Sequence, residues 1–346
     1  MTWARRSESS EVADTAQVWS SVDHRDRGGA IRAGSKSFAL ASRLFAPATR
    51  RLVWDLYTWC RHCDDVVDGQ TLGHGREPGD AAHAADTGDS ASADRAARVV
   101  ALRHDTDAAL AGMAGEEGPF AALQRVAQAT RLPALLTRDH LDGFAMDAAA
   151  RRYDTIDDTL DYGYHVAGVV GLMMAWVMGV RDRPTLARAA DLGMAFQLTN
   201  IARDVGDDVL AGRIYVPAHW LAAAGAQLVP GRPIDDATAA RLAPVVAGLL
   251  DEADRYYESA RHGLPQLAWR SAWAVATAHH VYRDIGVEVR RRGAHAWRER
   301  VVTSRPAKIA RMLQGGCEAT WTRRPSWSTG PLRRGLYTPA TLAMLG

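Results

Sequence analysis

"LYTWCRHCDDVVDG", residues 56–69, decides how the rest of the chain is read. It holds two candidate metal sites: a CxxC pair, Cys60 and Cys63, and the acids Asp64, Asp65 and Asp68. A thiol site and a hard-cation site describe different proteins. Helical geometry separates them. Pro47 can open a helix and Gly69 can close it, and at about 3.6 residues per turn, positions separated by alternating steps of ~3 and ~4 share one stripe. Tyr57, Arg61, Asp64 and Asp68 lie on such a stripe. Val53, Leu56, Cys60, Cys63 and Val67 lie on its neighbour. The thiols therefore align with aliphatic residues and read as small buried hydrophobes. A structural zinc site needs two more ligands, but Cys317 is the only other cysteine, and a redox pair lacks its usual βαβ setting. Asp64 and Asp68, one turn apart, are left as oxygen ligands suited to Mg²⁺ or Mn²⁺.

A lone DxxxD is weak evidence, because a solvated helix end carries the same spacing. The second copy changes its meaning. In "FQLTNIARDVGDDVLAGRIYVP", 196–217, Gln197, Asn200, Asp204 and Asp208 follow one helical stripe. Leu192, Ala195 and Leu198 make the helix before them apolar, so the polar stripe needs partners where it is buried. Two such helices facing each other gather four carboxylates, which repel one another unless cations neutralise them. Cations held there would in turn hold an anionic ligand, most simply a diphosphate. Arg61, Arg203 and Arg213 are placed to grip phosphate oxygens; Arg203 can equally pair with acids of its own helix.

Outward from these helices the chain is helical nearly throughout. Apolar residues recur at three- and four-residue steps and strand-like alternation is almost absent, which predicts a single all-α domain. Residues 70–95 are rich in Gly, Ala, Asp and Ser and read as a mobile loop or flap beside the first aspartates. Residues 1–30 read as an N-terminal extension, 31–314 as the folded catalytic unit, and 315–346 as a basic, poorly ordered tail. The helix "LDYGYHVAGVVGLMMAWVMG", 160–179, is unusually rich in small residues, with Ala167, Gly168 and Gly171 on one face and Gly193 on the second aspartate helix. Glycine inside a helix costs up to about 1 kcal/mol relative to alanine. Either close helix packing or space for a long apolar ligand accounts for it. Tyr162 and Tyr164 stand near the mouth of such a space; a tyrosine there hydrogen-bonds phosphate, faces a cation with its ring, or is simply a satisfied core aromatic.

Composition limits the alternatives. The net charge is +2, but residues 283–334 carry 13 Lys+Arg against 4 Asp+Glu, leaving −7 on the remainder. That basic stretch is a solvated surface or a face for anionic lipid, phosphate or nucleic acid. No nucleic-acid-binding motif accompanies it, so nucleic acid is not an expected partner. Three cysteines do not make a disulfide scaffold. The N-terminus lacks the apolar run of a secretory signal. The longest apolar run, 166–180, has 15 residues, short of the ~20 that span a bilayer. The expected compartment is the cytoplasm, with peripheral contact to a membrane through the basic region.

Several segments in one order, "GSKSFALASRLF", "LYTWCRHCDDVVDGQTLG", "DHLDGFAMD", "YGYHVAGVVGLMMAWVMGVRD", "AFQLTNIARDVGDDVLAGRIYVP" and "RSAWAVATAHHVYRDIGVEVRRRGAHAWRERVVTSRPAKI", resemble the squalene/phytoene synthase family from about Gly34 to about Leu313. The last segment is more similar to phytoene-forming than to squalene-forming members. The resemblance implies the isoprenoid (terpenoid) synthase fold, a single helical domain around a central cavity. It implies head-to-head condensation of two geranylgeranyl diphosphates without NADPH, or of farnesyl diphosphates in a squalene or dehydrosqualene synthase. It implies two or three Mg²⁺ or Mn²⁺ ions. Asp64 and Asp68 match the family's first aspartate motif, and Asp204 and Asp208 the second, with Asn200 beside them as a further metal ligand. Ser35, Ser37, Arg61, Tyr162, Gln197, Asn200, Arg203 and Arg213 match positions near the diphosphates, and Tyr57 shares the stripe of Arg61. Tyr215 and Tyr282 match tyrosines near the cavity. The apolar product would pass to a membrane or to a downstream desaturase.

Overall fold

Short α1, Lys36–Ser42, leads into α2, Pro47–Asp68, the helix expected from the opening stretch. The structure is a computed structural model that describes residues 36–68, 88–324 and 333–345. The expected N-terminal extension and residues 70–87 of the expected flap lie outside them. Among the described residues there is no strand. Beyond α2 come α3, Gly88–Leu110, α4, Gly118–Thr130, and α5, Ala134–Ala148. Then α6, Ile156–Gly163, a π-helical turn, Tyr164–Gly168, and α7, Val169–Val177, follow as one continuous rod. The longest helix is α8, Arg183–Leu210, which carries the second aspartate motif. Short α9, Ala218–Ala223, precedes α10, Asp236–Arg261, α11, Trp269–Arg292, α12, Arg305–Trp321, and α13, Thr341–Met344.

Local chemistry sets the helix starts. Thr155 and Asp158 form a reciprocal capping box on α6. The carboxylates of Asp182 and Asp235 accept the Thr185 and Thr238 backbone N–H at 2.9 and 2.7 Å, and the Ser304 hydroxyl caps α12. Helix α8 forms the axis. It packs most extensively on α10, on α7 and on the π turn, and α11 lies against α12. The glycine question resolves here as close packing. A Cβ on Gly171 or Gly193 would collide with the backbone carbonyl of Ala189 or Ala167, so these glycines let the α6–α7 rod and α8 touch backbone to backbone. At Gly168 the neighbour is the Met194 side chain.

The thiol reading is settled in the same way. Cys63 is fully buried in the core beside Val53, Leu56 and Val67, and Cys60 packs partly against it.

Two expectations of organisation are corrected. Residues 88–95 form the first turns of α3 rather than loop. The tail is ordered where it is described: α12 runs through Gly315 to Trp321, and 333–345 straps the bundle. Arg333 donates to buried Asp191 at 2.8 Å through Nε and 2.5 Å through Nη2. Tyr337 donates its hydroxyl to Asp161 at 2.8 Å and its N–H to Tyr256 at 2.9 Å. Thr341 donates to Asp139, and Arg183 donates to the carbonyls of Ala343 and Leu345. A polar tail orders because its partners are buried or half-buried carboxylates distant in sequence.

The basic stretch is also changed by the fold. Arg283 and Arg290 pair with Asp254 and Asp251, Arg291 and Arg292 with Glu288, Arg298 with Asp236, and Arg311 with Asp284. Much of its charge is paired with acids at the protein surface. No helix among the described residues is long and apolar enough to cross a membrane.

Candidate active site

The first jaw is the C-terminal end of α2. Arg61 spans Asp64 at 2.8 Å and Asp65 at 2.6 Å. Asp65 is buried, so its pairing with Arg61 also anchors the guanidinium. The protein walls raise the Asp64 carboxyl to about 6 against the pull of Arg61, with the charges of Asp68 and Asp65 adding to the rise, although 44% of that side chain remains accessible. Asp68 ends the helix and is held by Arg213, which reaches it from the loop after α8. One turn before Arg61, Tyr57 stacks on Phe38 at 4.7 Å.

The second jaw is the C-terminal half of α8. Arg203 pairs with its neighbour Asp204, the same-helix arrangement anticipated as the alternative to phosphate binding. Arg300, from the loop between α11 and α12, adds two hydrogen bonds of 3.1 Å to the same carboxylate. Burial pushes Asp204 up, but these guanidinium bonds and charges outweigh it and hold the carboxyl below its ordinary range. Among the described residues Asp208 has no such clamp, and burial with the charge of Asp204 pushes it up to about 7. Gln197 and Asn200 precede the acids on α8, half-buried. Across from them, Tyr282 on α11 stacks on Phe196 at 4.2 Å and lies close enough to Tyr57 to influence its ionisation.

The jaws meet through Arg213 rather than by helix packing. Its guanidinium holds Asp68, and its charge acts on Asp64, Asp147 and Asp208. The expected cage of four carboxylates is therefore drawn as two ion-paired jaws. Among the described residues, no group of three or more His, Cys, Asp or Glu is placed to hold a metal ion. The donor set nevertheless fits a hard cation: carboxylates on both jaws, and, on the face of Asp204, a buried Asn200 Oδ1 without a hydrogen-bond partner among the described residues. Tyr162 on α6 and Tyr215 after α8 are stacked at 4.6 Å, within reach of the charge of Arg213. Ser35 lies outside the described residues. Ser37 is in α1, with its side chain outside what is described.

Sequence reasoning missed two residues. Arg300 sits in a run of arginines 96 positions from Asp204, with no local feature to single it out. Asp147 ends α5 and receives both Tyr162 and Tyr215. A signal existed for it: Asp139, Gly143 and Asp147 recur at four-residue steps and so share one face of α5.

The family model for squalene/phytoene synthase matches residues 31–307. The chain belongs to the squalene/phytoene synthase family. It is 48% identical over 309 residues to a 15-cis-phytoene synthase of Paracoccus sp., covering 89% of this chain and 95% of the relative. It is 51% identical over 280 residues to a phytoene synthase of Pseudescherichia vulneris, covering 81% and 86%. Among solved structures it resembles a dehydrosqualene synthase with a TM-score of 0.71, 24% identity, and coverage of 90% and 99%. A squalene synthase from Alicyclobacillus acidocaldarius follows at 0.62, 22% identity, and coverage of 82% and 96%. These structural likenesses establish the terpenoid synthase helical fold. Members of this family depend on divalent metal.

Proposed function

We propose that this chain condenses two geranylgeranyl diphosphates head to head, through prephytoene diphosphate, to phytoene, as a prenyltransferase of carotenoid biosynthesis. The observation that carries the reading is about half identity to phytoene synthases across most of both chains. Residues 31–314 are the catalytic unit. Asp64, Asp68, Asn200, Asp204 and Asp208 hold two or three Mg²⁺ or Mn²⁺ ions. Ser35, Ser37, Tyr57, Arg61, Gln197, Arg203 and Arg213 bind the diphosphates, with Arg300 added from the structure. Bound cations supply Lewis-acid charge to the departing diphosphate. The arginines now paired with the acids transfer to diphosphate oxygens, for which their planar fork is suited. Tyr162, Tyr215 and Tyr282 present ring faces and hydroxyls to the cationic stages, and apolar walls exclude water. Each of the two stages releases one diphosphate and one proton. No electrons are exchanged, so no reductant enters.

The test is incubation with Mg²⁺ or Mn²⁺ and each prenyl diphosphate, followed by identification of the hydrocarbon. Phytoene from geranylgeranyl diphosphate is expected. A product made only from farnesyl diphosphate would replace this reading with a squalene or dehydrosqualene synthase.

The product is apolar and leaves for a membrane or a downstream desaturase. Ile309, Leu313, Cys317 and Trp321 recur every four residues along α12, all exposed, and Val302 in the loop before α12 is exposed as well. Arg305 and Arg324 flank this stripe. We assign it to peripheral contact of a cytoplasmic enzyme with anionic lipid. Sedimentation with anionic vesicles at low and high salt, lost in Leu313→Glu, tests the assignment; equal sedimentation of both proteins would refute it.

A further inference from the structure

Asp147 belongs to neither aspartate motif, yet it stands at the junction of the jaws. Its Oδ2 accepts the Tyr162 hydroxyl and its Oδ1 the Tyr215 hydroxyl, both at 3.0 Å. The two tyrosines come from different elements, α6 and the loop after α8, and their rings are only 14° from parallel. Tyr153 packs against both, with ring centroids at 5.3 and 5.6 Å. All three rings are buried. Engaging both carboxylate oxygens fixes the rotation of each phenol, because turning either ring breaks a charge-assisted bond. Fastening alone would not require a charge here. Asp68 and Asp208 are near enough to repel this carboxylate, with Arg213 as the facing cation. What a carboxylate adds is negative charge behind the phenols, which makes the stacked rings a better surface for a carbocation.

We infer that Asp147 is a positioning residue that locks Tyr162 and Tyr215 together as the wall facing the cationic stages of the reaction. The inference rests on the two-stage reading proposed above. Its competitor is a plain fastener between α5 and α6, the role open to Asp139, which receives Tyr164 at 2.6 Å on the same helix.

The experiment compares wild type, Asp147→Asn and Asp139→Asn with Mg²⁺ and whichever prenyl diphosphate the wild type condenses. KM, kcat, melting temperature and the ratio of cyclopropyl diphosphate intermediate to hydrocarbon are measured. The amide keeps the shape of the carboxylate but accepts only through its oxygen and turns an N–H₂ toward the other phenol. Losing a desolvated cation–π contribution corresponds to about tenfold or more in rate. Asp147→Asn should therefore lower kcat by that factor with little change in KM, and raise the intermediate-to-hydrocarbon ratio. Asp139→Asn should lower the melting temperature and leave the ratio alone. If Asp147→Asn behaves like Asp139→Asn, the inference is overturned. Should that variant fail to fold, Tyr215→Phe, which deletes one hydroxyl, reads the same ratio and decides the matter in the same way. A wild type that condenses neither farnesyl nor geranylgeranyl diphosphate would overturn the reaction itself, and the inference with it.

Discussion

Helix α5 carries two aspartates two turns apart, Asp139 and Asp147, and each receives a tyrosine hydroxyl from the rod formed by α6 and the π turn. Gly143 between them lets that rod approach, since a Cβ there would press on Val166 and the His165 backbone. The surroundings then diverge. On the Asp139 side the tail supplies partners: Thr341 for Asp139, and Arg333 for fully buried Asp191, which also accepts from Ser259 of α10. On the Asp147 side carboxylates crowd together, and burial raises Asp64 and Asp147 to about 6 and Asp208 to about 7. At the tail end Asp139 and Asp191 each accept donors brought from distant segments. At the site end the acids are crowded: their arginines and phenols are shared out, and among the described residues Asp208 is met only by the charge of Arg213, a crowding that a cation and a diphosphate would relieve.

The largest effect should come from removing a jaw. Asp64→Ala or Asp204→Ala should lower turnover per folded molecule by at least about a thousandfold, roughly 4 kcal/mol of barrier; Asp204→Ala should also lower the melting temperature, because it leaves Arg203 and Arg300 without their carboxylate. Steady-state assays with calorimetry check this; near-normal turnover in either variant would remove the metal assignment. Next is the tail. Arg333→Ala leaves buried Asp191 without its directly bonded cation, with only Ser259 and the nearby charge of Arg188 remaining, which should cost up to about 3 kcal/mol of stability. Denaturant unfolding measures it, and activity per folded molecule should hold. Lost activity without lost stability would erase the distinction between the two ends.

The helices and the two aspartate motifs were readable in the sequence, whereas the contrast between the two ends was not, and the unread part has a physical pattern. Periodicity within one helix separated Cys63 from Asp64, and Asp204 and Asp208 shared a stripe that the structure keeps. It did not tell close packing from ligand space at Gly171 and Gly193, because that depends on which backbone lies opposite. Nor did it identify Arg300 or Arg333, whose partners lie 96 and 142 residues away. A run of arginines looks alike whether it faces lipid or buried acids. Local spacing reports helix faces, whereas charge pairing across the fold is a tertiary property.

A smaller effect separates the ends by pH. Burial, reinforced by His280, pushes His279 down to about 3 against Glu318 and the Tyr257 carbonyl, with Arg261 also lowering it. In the unfolded chain a histidine takes its proton near pH ~6.5. The unfolded state therefore binds more protons below that pH, and stability present above it is lost as pH falls toward 3. The stability advantage of wild type over His279→Gln should shrink by about 2 kcal/mol between pH ~7 and ~5. A difference that stays constant across that range would show that His279 is not held neutral.

The subtlest prediction reverses sign at the site. Asp208, raised to about 7 by burial and by Asp204, binds its proton more tightly when folded than in the unfolded chain, where aspartate titrates near ~3.9. Stability from this group is thus greatest in acid and declines as pH rises through that window. Without metal, the stability advantage of Asp208→Asn over wild type should grow by about 2–3 kcal/mol between pH ~5 and pH ~8. Added Mg²⁺ with pyrophosphate should raise wild type more than the variant, since a ligand stabilises only the state that binds it. Denaturant curves at the two pH values, with and without the ligands, resolve all four states. A metal-free advantage that does not grow across that range would mean that Asp208 has a protein partner after all, and the site end would then be as fully paired as the tail end.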